Sequence, residues 1–172
     1  MISSKTRREQ LQAVWANTPW ADIATYIGPN AEKFRTAWEK QRAVTLKKGG
    51  GFSWSFCWPA LFLSFVWFFY RKQWLAGAIL IILPIILVAL FPTISGALGG
   101  VAIALSMMAK SLYLQDILPK IAKITAATPV GAARQTALAS AGGTSKLAGI
   151  ISLIFLAVAL VGAGLSVANG QE

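Results

Sequence analysis

The stretch FSWSFCWPALFLSFVWFFYRKQW, from Phe52 to Trp74, decides how this chain meets its surroundings. Eleven of its residues are aromatic, and its first charged side chain is Arg71. It is long enough to cross a bilayer, because about 20 apolar residues span the hydrocarbon core. Two interpretations are open: the stretch crosses the membrane, or it lies in one face of the membrane or re-enters there.

The composition around this stretch indicates an integral membrane protein. Of the 172 residues, 13% are charged, whereas a soluble domain carries about 25%. No charged side chain occurs from Gln73 to Ala109 or from Leu147 to Gln171. The pattern predicts an all-α integral membrane protein whose transmembrane helices cover residues 75–91, 97–114 and 147–168.

The remaining residues divide around these helices. Residues 1–51 are predicted to form a cytoplasmic amphipathic helical segment, and residues 52–172 the membrane domain. In the first segment, a helix from about residue 31 to 46 places Phe34 and Trp38 on one face between basic residues. Such a helix either lies on the membrane surface or packs against the membrane domain. Residues 119–146, rich in Ala, Gly, Ser and Thr, are predicted to be a loosely helical cytoplasmic loop.

The positions of Lys and Arg choose between the two interpretations of the aromatic stretch, because basic residues favour the cytoplasmic side. If residues 52–70 cross, nine basic residues lie inside and seven outside. If this segment is interfacial or re-entrant, all sixteen lie inside. The sequence therefore predicts three crossings plus one aromatic segment, 52–74, embedded in the cytoplasmic leaflet. The N-terminus is then cytoplasmic and the C-terminus periplasmic.

The net charge of +10 fits two kinds of partner, nucleic acid and anionic lipid. The apolar composition favours anionic lipid headgroups, with no nucleic-acid partner. The chain has no His and one cysteine, Cys57, which removes the usual metal sites and any intramolecular disulfide. No cofactor is expected, and the chain offers no nucleophile with a base. We therefore expect a non-enzymatic protein.

Aromatic and basic side chains near the end of the stretch are the candidate lipid-contacting residues. Rings at the headgroup level combined with cations that meet phosphate would grip a headgroup, and a general membrane anchor is the simpler interpretation. Lys110, near the end of the second crossing, is predicted to extend to the interface. The candidate residues are Trp67, Tyr70, Arg71, Lys72, Trp74 and Lys110.

A small-residue pattern marks a candidate helix-packing face at Gly96, Gly100 and Ala104. Small residues four apart allow two helices to approach closely in a membrane. The face would serve packing between crossings of this chain, and it is also compatible with a membrane-protein partner or a homo-oligomer.

Three motifs carry a resemblance to a known family: YIGPNAEKF, the aromatic stretch, and SLYL. They resemble the bacterial domain-of-unknown-function family numbered 2628, a family of small inner-membrane proteins, over about residues 26–118. The matching positions are Gly28–Ala31, Phe52–Trp54, Trp67 and Tyr70–Lys72. Where the family often has Asn three residues before the position of Tyr113, this chain has Lys110. The resemblance implies a bacterial inner-membrane location and no particular activity.

Together these observations predict an accessory or scaffold subunit, or a membrane organiser that recognises anionic lipid. The alternative is a component of a small channel or transporter. That role needs polar residues along a pore, and the crossings offer few.

Overall fold

The computed structural model describes residues 4–91, 93 and 98–169, and the described residues form nine helices and no strand. The all-α prediction is confirmed. The helices are α1 (Ser4–Asn17), α2 (Trp20–Ile27), α3 (Glu32–Lys48), α4 (Trp58–Leu63), α5 (Phe65–Tyr70), α6 (Trp74–Leu90), α7 (Leu98–Ala127), α8 (Ala132–Ala141) and α9 (Lys146–Asn169).

The chain is divided into two compact units. Unit 1 consists of Met1–Cys57 and Ala104–Gly143, and unit 2 of Trp58–Ile103 and Thr144–Glu172. The sequence suggested a boundary after Gly51 and one continuous membrane domain. The structure instead groups most of α7 with the N-terminal helices, because buried side chains of α7 pack against them.

An aromatic contact joins α3 to α7 in the core of unit 1. Phe34 is 3% exposed and its ring centroid lies 5.3 Å from that of Tyr113, which is 1% exposed. Trp38 is half-buried, with its ring 5.3 Å from Trp20. The sequence left open whether this helix lies on the membrane surface or packs against other helices of the chain. Phe34 packs, and its partner is α7.

Two arginines of unit 1 satisfy carbonyl groups at helix ends, where the last turn lacks backbone donors. Arg42 donates to the carbonyl oxygens of Trp15 and Ala16 at the end of α1. Arg134 donates to the carbonyl oxygens of Thr125 and Thr128 at the end of α7. These two cations therefore have structural roles that a count of basic residues does not reveal.

Helix α7 is longer than the sequence suggested. The predicted helix ended at residue 114 and Pro119 was expected to break it or to begin a new one, but α7 continues to Ala127. Pro119 is exposed, whereas Leu118 and Ile121 are at most 1% exposed. Burial of these neighbours supports the helix on one face while the proline ring stays on the other. The stretch 119–146, predicted to be a loosely helical loop, contains the end of α7 and the whole of α8.

Unit 2 has a largely apolar surface. Helix α5 packs against α6 and α9, and Val66, Trp67 and Phe68 of α5 are buried. The outer faces of α6 and α9 expose large aliphatic side chains, including Ile82 and Ile154. An apolar surface of this extent is typical of a helix surrounded by lipid.

Two helical segments among the described residues are long and apolar enough to cross a membrane by length and composition. They are Gly99–Ala127 and Ala132–Gly162, the second of which contains α8 and α9 as far as Gly162. The predicted crossing at residues 75–91 corresponds to α6, an apolar helix of 17 residues with Pro84 inside it.

The contact between α2 and α8 in unit 1 depends on a glycine. The N–H of Gly143 donates to the carbonyl oxygen of Tyr26 at 2.7 Å, and a Cβ on Gly142 would overlap that same carbonyl. The backbone of α8 therefore approaches α2 more closely than any side chain at position 142 permits.

The phenol of Tyr26, whose backbone takes part in this contact, has a raised pKa. Burial raises the pKa, and the charge of Asp116 raises it further.

We expect Gly142→Ala to destabilise unit 1 by about 3 kcal/mol, because the clash is with backbone that cannot rotate away. Gly143→Ala is the matched control: its φ of +74° strains an alanine, but its Cβ would meet open space, so a loss of about 1 kcal/mol is expected. Urea unfolding in mild detergent measures both. Equal losses in the two variants would contradict the close approach.

Candidate membrane-interface site

The first residues of the aromatic stretch form an extended segment, Gly51–Cys57, rather than a helix. Side chains of an extended chain alternate between two faces. Phe52, Trp54 and Phe56 are 44%, 59% and 38% exposed, whereas Ser53 and Cys57 are 5% and 3% exposed. The segment thus presents three aromatic rings outward and small side chains inward. We call these three rings the aromatic row.

The inner edge of this segment is fixed by hydrogen bonds within unit 1. The N–H of Ser53 donates to Oε1 of Gln41 at 2.7 Å. The N–H groups of Ser55 and Cys57 donate to the carbonyl oxygens of Met107 and Ser106 in α7, at 2.9 and 3.1 Å. The segment is therefore held along α7 in one register.

Side chains complete the attachment. Nε2 of Gln41 donates to the carbonyl oxygen of Gly51 at 2.7 Å, and Oγ of Ser111 donates to the carbonyl oxygen of Ser53 at 2.6 Å. The hydroxyl groups of Ser53 and Ser111 lie 2.9 Å apart. Gln41 and Ser111 are fully buried, so these bonds satisfy groups that water does not reach.

Exposed lysines precede the aromatic row in the chain. Lys47 and Lys48 form the last turn of α3 and are exposed. Three glycines separate them from Phe52. Cations beside exposed rings are the combination that anionic headgroups and the membrane interface favour.

The residues expected to contact lipid near the end of the stretch behave differently from one another. Trp67 and Arg71 are 5% and 7% exposed, so little of either side chain reaches the surface. Tyr70 is half-buried, and its ring would lie 3.0 Å from a Cβ on Gly149. Its carbonyl oxygen accepts the N–H of Ser145 at 2.8 Å. Trp67 of α5 and Arg71, which directly follows α5, are therefore largely buried, and their contact with a headgroup stays a prediction.

Two of the candidate lipid-contacting residues are accessible to solvent. Trp74 is 55% exposed and lies 5.8 Å from the Phe69 ring. Lys72 is half-exposed with a φ of +59°. Lys110 belongs to unit 1, where its Nζ lies 5.9 Å from the Phe34 ring centroid.

The predicted helix-packing face is described only in part. Gly96 lies outside the described residues. Gly100 and Ala104 are exposed, and a Cβ on Gly100 would meet nothing within 4 Å. No packing partner within the described chain therefore explains this face.

The described residues contain no group of three or more His, Cys, Asp or Glu side chains placed to hold a metal ion.

A family model described as a protein of unknown function, DUF2628, matches residues 30–128. The chain is a member of the DUF2628 family. The match begins just before α3 and ends just after α7, so it covers the extended segment together with both helices that hold it. No curated protein and no solved structure matches the chain.

In this DUF2628 protein the three rings of the aromatic row are accessible, although sequence reasoning did not single them out. Phe52, Trp54 and Phe56 alternate with Ser and Cys, which is the period-2 signal of an extended segment with one buried face. The overall density of aromatic residues concealed that signal. The opposite exposure of Trp67 depends on tertiary contacts of α5, and no local pattern reports it.

We expect Gln41→Ala to lower the free energy of unfolding by about 1–3 kcal/mol, because it leaves the buried N–H of Ser53 without its acceptor. Gln115→Ala is the matched control, since Gln115 donates to the same Gly51 carbonyl from an exposed position. Its expected loss is about 0.5 kcal/mol or less. Urea unfolding in mild detergent compares the two, and equal losses would show that the buried amide does not fix the segment.

Proposed function

We propose that this protein is a non-enzymatic component of the bacterial inner membrane that binds anionic phospholipid at the cytoplasmic face. It acts as a membrane organiser or as an accessory subunit of a membrane assembly. The observation that carries the proposal is the aromatic row, Phe52, Trp54 and Phe56, exposed on a segment whose other edge is fixed to α7.

The form of the segment supports a place in the headgroup region. Extended backbone is not tolerated in hydrocarbon unless protein covers it, because water is absent there. Rings with a polar atom, such as the Trp54 indole, favour the interface between headgroups and acyl chains. The segment also joins directly to Trp58, the first residue of the apolar unit 2. These features favour a depth at the boundary between water and hydrocarbon.

The distribution of charge supports an anionic surface as the ligand. Thirteen of the sixteen basic residues fall in unit 1, together with five of the six acidic ones. Several exposed lysines take no part in the ion pairs of the described residues. Among these are Lys33, Lys40, Lys47, Lys48 and Lys123. Each Lys near an anionic membrane contributes about 1 kcal/mol to attraction.

The proposed topology has three crossings, with the aromatic segment on the cytoplasmic side. A helix of six residues is about 9 Å long, so neither α4 nor α5 reaches across a core of about 30 Å. The backbone breaks between them at Ser64, whose φ is +39°. The uncharged interval from Gln73 to Ala109 then enters and returns as a hairpin of α6 and the first part of α7, and α9 makes the third crossing.

A pore through this chain has little support. The Ser111 hydroxyl bonds to Ser53, and the Ser152 hydroxyl donates to the carbonyl oxygens of Ala148 and Gly149 in its own helix. These hydroxyl groups are therefore engaged in holding structure. A channel or transporter role remains the alternative from another functional class.

A nitroxide placed at position 54 tests the depth of the aromatic row. Cys57→Ala removes the one native thiol, so Trp54→Cys in this background supplies a single thiol for labelling. The labelled protein is placed in phosphatidylglycerol nanodiscs. We expect the accessibility ratio of oxygen to a water-soluble nickel reagent to place the label at the boundary of headgroups and acyl chains. With phosphatidylcholine alone we expect a shallower position, because the lysines lose their anionic partner.

Ala43→Cys is the matched control, since Ala43 is exposed on the side of α3 opposite Gln41. Its label should be as accessible to the nickel reagent as a label in water. A position 54 as wet as position 43, or one at the centre of the bilayer, would contradict the proposal.

Fusion of reporters tests the topology. Alkaline phosphatase after Glu172 should be active and a fluorescent protein there dark, because three crossings place that position in the periplasm. The same reporters after Thr128, at the end of α7, should give the reverse result. With a cytoplasmic N-terminus, a cytoplasmic reporter signal after Glu172 would require an even number of crossings. That result would contradict the three-crossing topology.

A further inference from the structure

An apolar groove of about 380 Å³ runs along one face of α9 within unit 2. Ring side chains of α5 and α6 form its other wall. Its lining includes Phe65, Phe69, Trp74, Leu147, Ile151 and Phe155. Pockets for small ligands begin at about 300 Å³, so the groove is large enough for part of a lipid.

The length of the groove matches one membrane leaflet. Its lining on this side extends from Ser145, just before α9, to Phe155. Ten residues of helix rise about 15 Å, and one leaflet of a hydrocarbon core of about 30 Å is also about 15 Å thick. A single acyl chain lying along α9 would therefore fill the groove from end to end.

The polar side chains that line the groove already have hydrogen-bond partners within the protein. The Ser152 hydroxyl donates to carbonyl oxygens of its own helix. The Ser145 hydroxyl accepts the N–H of Ala148 at 3.3 Å. Both polar side chains in the lining are thus satisfied within the protein, which leaves an apolar surface for hydrocarbon to cover.

One end of the groove is cationic. The N–H of Ser145 donates to the carbonyl oxygen of Tyr70 at 2.8 Å, which places the start of α9 beside the turn after α5. Lys146 is exposed at this end, and Lys72 lies two residues beyond Tyr70. The described residues of unit 2 include no Asp or Glu. At the other end, Phe155 provides only apolar surface.

We propose that this groove binds one phospholipid molecule, with an acyl chain along α9 and an anionic headgroup at Lys146. Trp74, exposed at the same end, lies at the headgroup level, where indole rings favour the membrane interface. The inference rests on the membrane location proposed above, but it does not depend on the depth of the aromatic row. It assigns a defined binding site in unit 2, distinct from the general attraction of unit 1 to an anionic surface.

Native mass spectrometry of the intact protein in mild detergent tests this site. With phosphatidylglycerol as the probe, we expect one molecule retained per chain, and weaker retention of phosphatidylcholine. Ala148→Trp places an indole in the groove and should reduce retention more than about tenfold. Ala157→Trp is the matched control, because Ala157 is exposed on α9 and does not line the groove. It should retain lipid like the unaltered chain.

The headgroup contact has its own variant. Lys146→Gln should keep the bound lipid but lower the preference for phosphatidylglycerol over phosphatidylcholine about fivefold, the effect of one Lys near anionic lipid. Lys123→Gln, a change of the same kind in unit 1, should leave the preference unaltered. An unchanged preference in Lys146→Gln would overturn the assignment of the headgroup to this end.

A measurement on the unaltered protein tests the groove without depending on correct folding of the Trp variant. Phosphatidylglycerol with a photoreactive acyl chain should crosslink to the groove face of α9, at Leu147, Ile151 and Phe155. Ile150 and Ile154 lie on the same helix, are exposed, and do not line the groove. Crosslinks equal on both faces, or retention equal in Ala148→Trp and Ala157→Trp, would mean that only bulk lipid contacts α9. Either result would overturn the groove while leaving the depth of position 54 unaffected.

Discussion

The buried amide of Gln41 joins α3 to the extended segment before unit 2, and the arrangement of unit 1 depends on that junction. Its oxygen accepts the N–H of Ser53 and its nitrogen donates to the carbonyl of Gly51. An amide suits this position because it carries an acceptor and a donor on one rigid group. Ser111 supports the same segment from α7. These hydrogen bonds keep the segment extended at the point where the chain leaves unit 1. The same peptide on its own, without these bonds, would not hold one conformation.

Because of this attachment, the two parts of the aromatic stretch differ in the exposure of their rings. Where the chain is extended and bonded along α7, every second residue turns outward and three rings are accessible. Where it becomes helical in α5, rings such as Trp67 turn inward and fill the space between α6 and α9. Similar side chains therefore serve as surface in one unit and as core in the other. Backbone conformation, through periods of 2 and 3.6, makes the difference.

The basic residues divide in a comparable way. Arg42 and Arg134 donate to carbonyl groups at helix ends, and Arg35 lies near Glu32 and Glu39. The planar guanidinium group suits such multiple contacts. Most lysines of unit 1 remain exposed and form the positive surface on which the proposed lipid contact depends. A net charge of +10 thus overstates the charge available to a partner, because part of it stabilises the helices themselves.

The sequence by itself determined the all-α class, the family and the apolar intervals long enough for membrane helices. These properties depend on composition, on motifs and on the length of uncharged runs, which are local. Only the tertiary structure decided that α7 continues past Pro119, that Arg71 is buried and Trp54 exposed, and that the later part of α7 joins the N-terminal helices. The reason is that each of these outcomes depends on residues far apart in the chain. Packing of Phe34 on Tyr113, or of α5 on α9, selects among conformations that the local sequence permits equally.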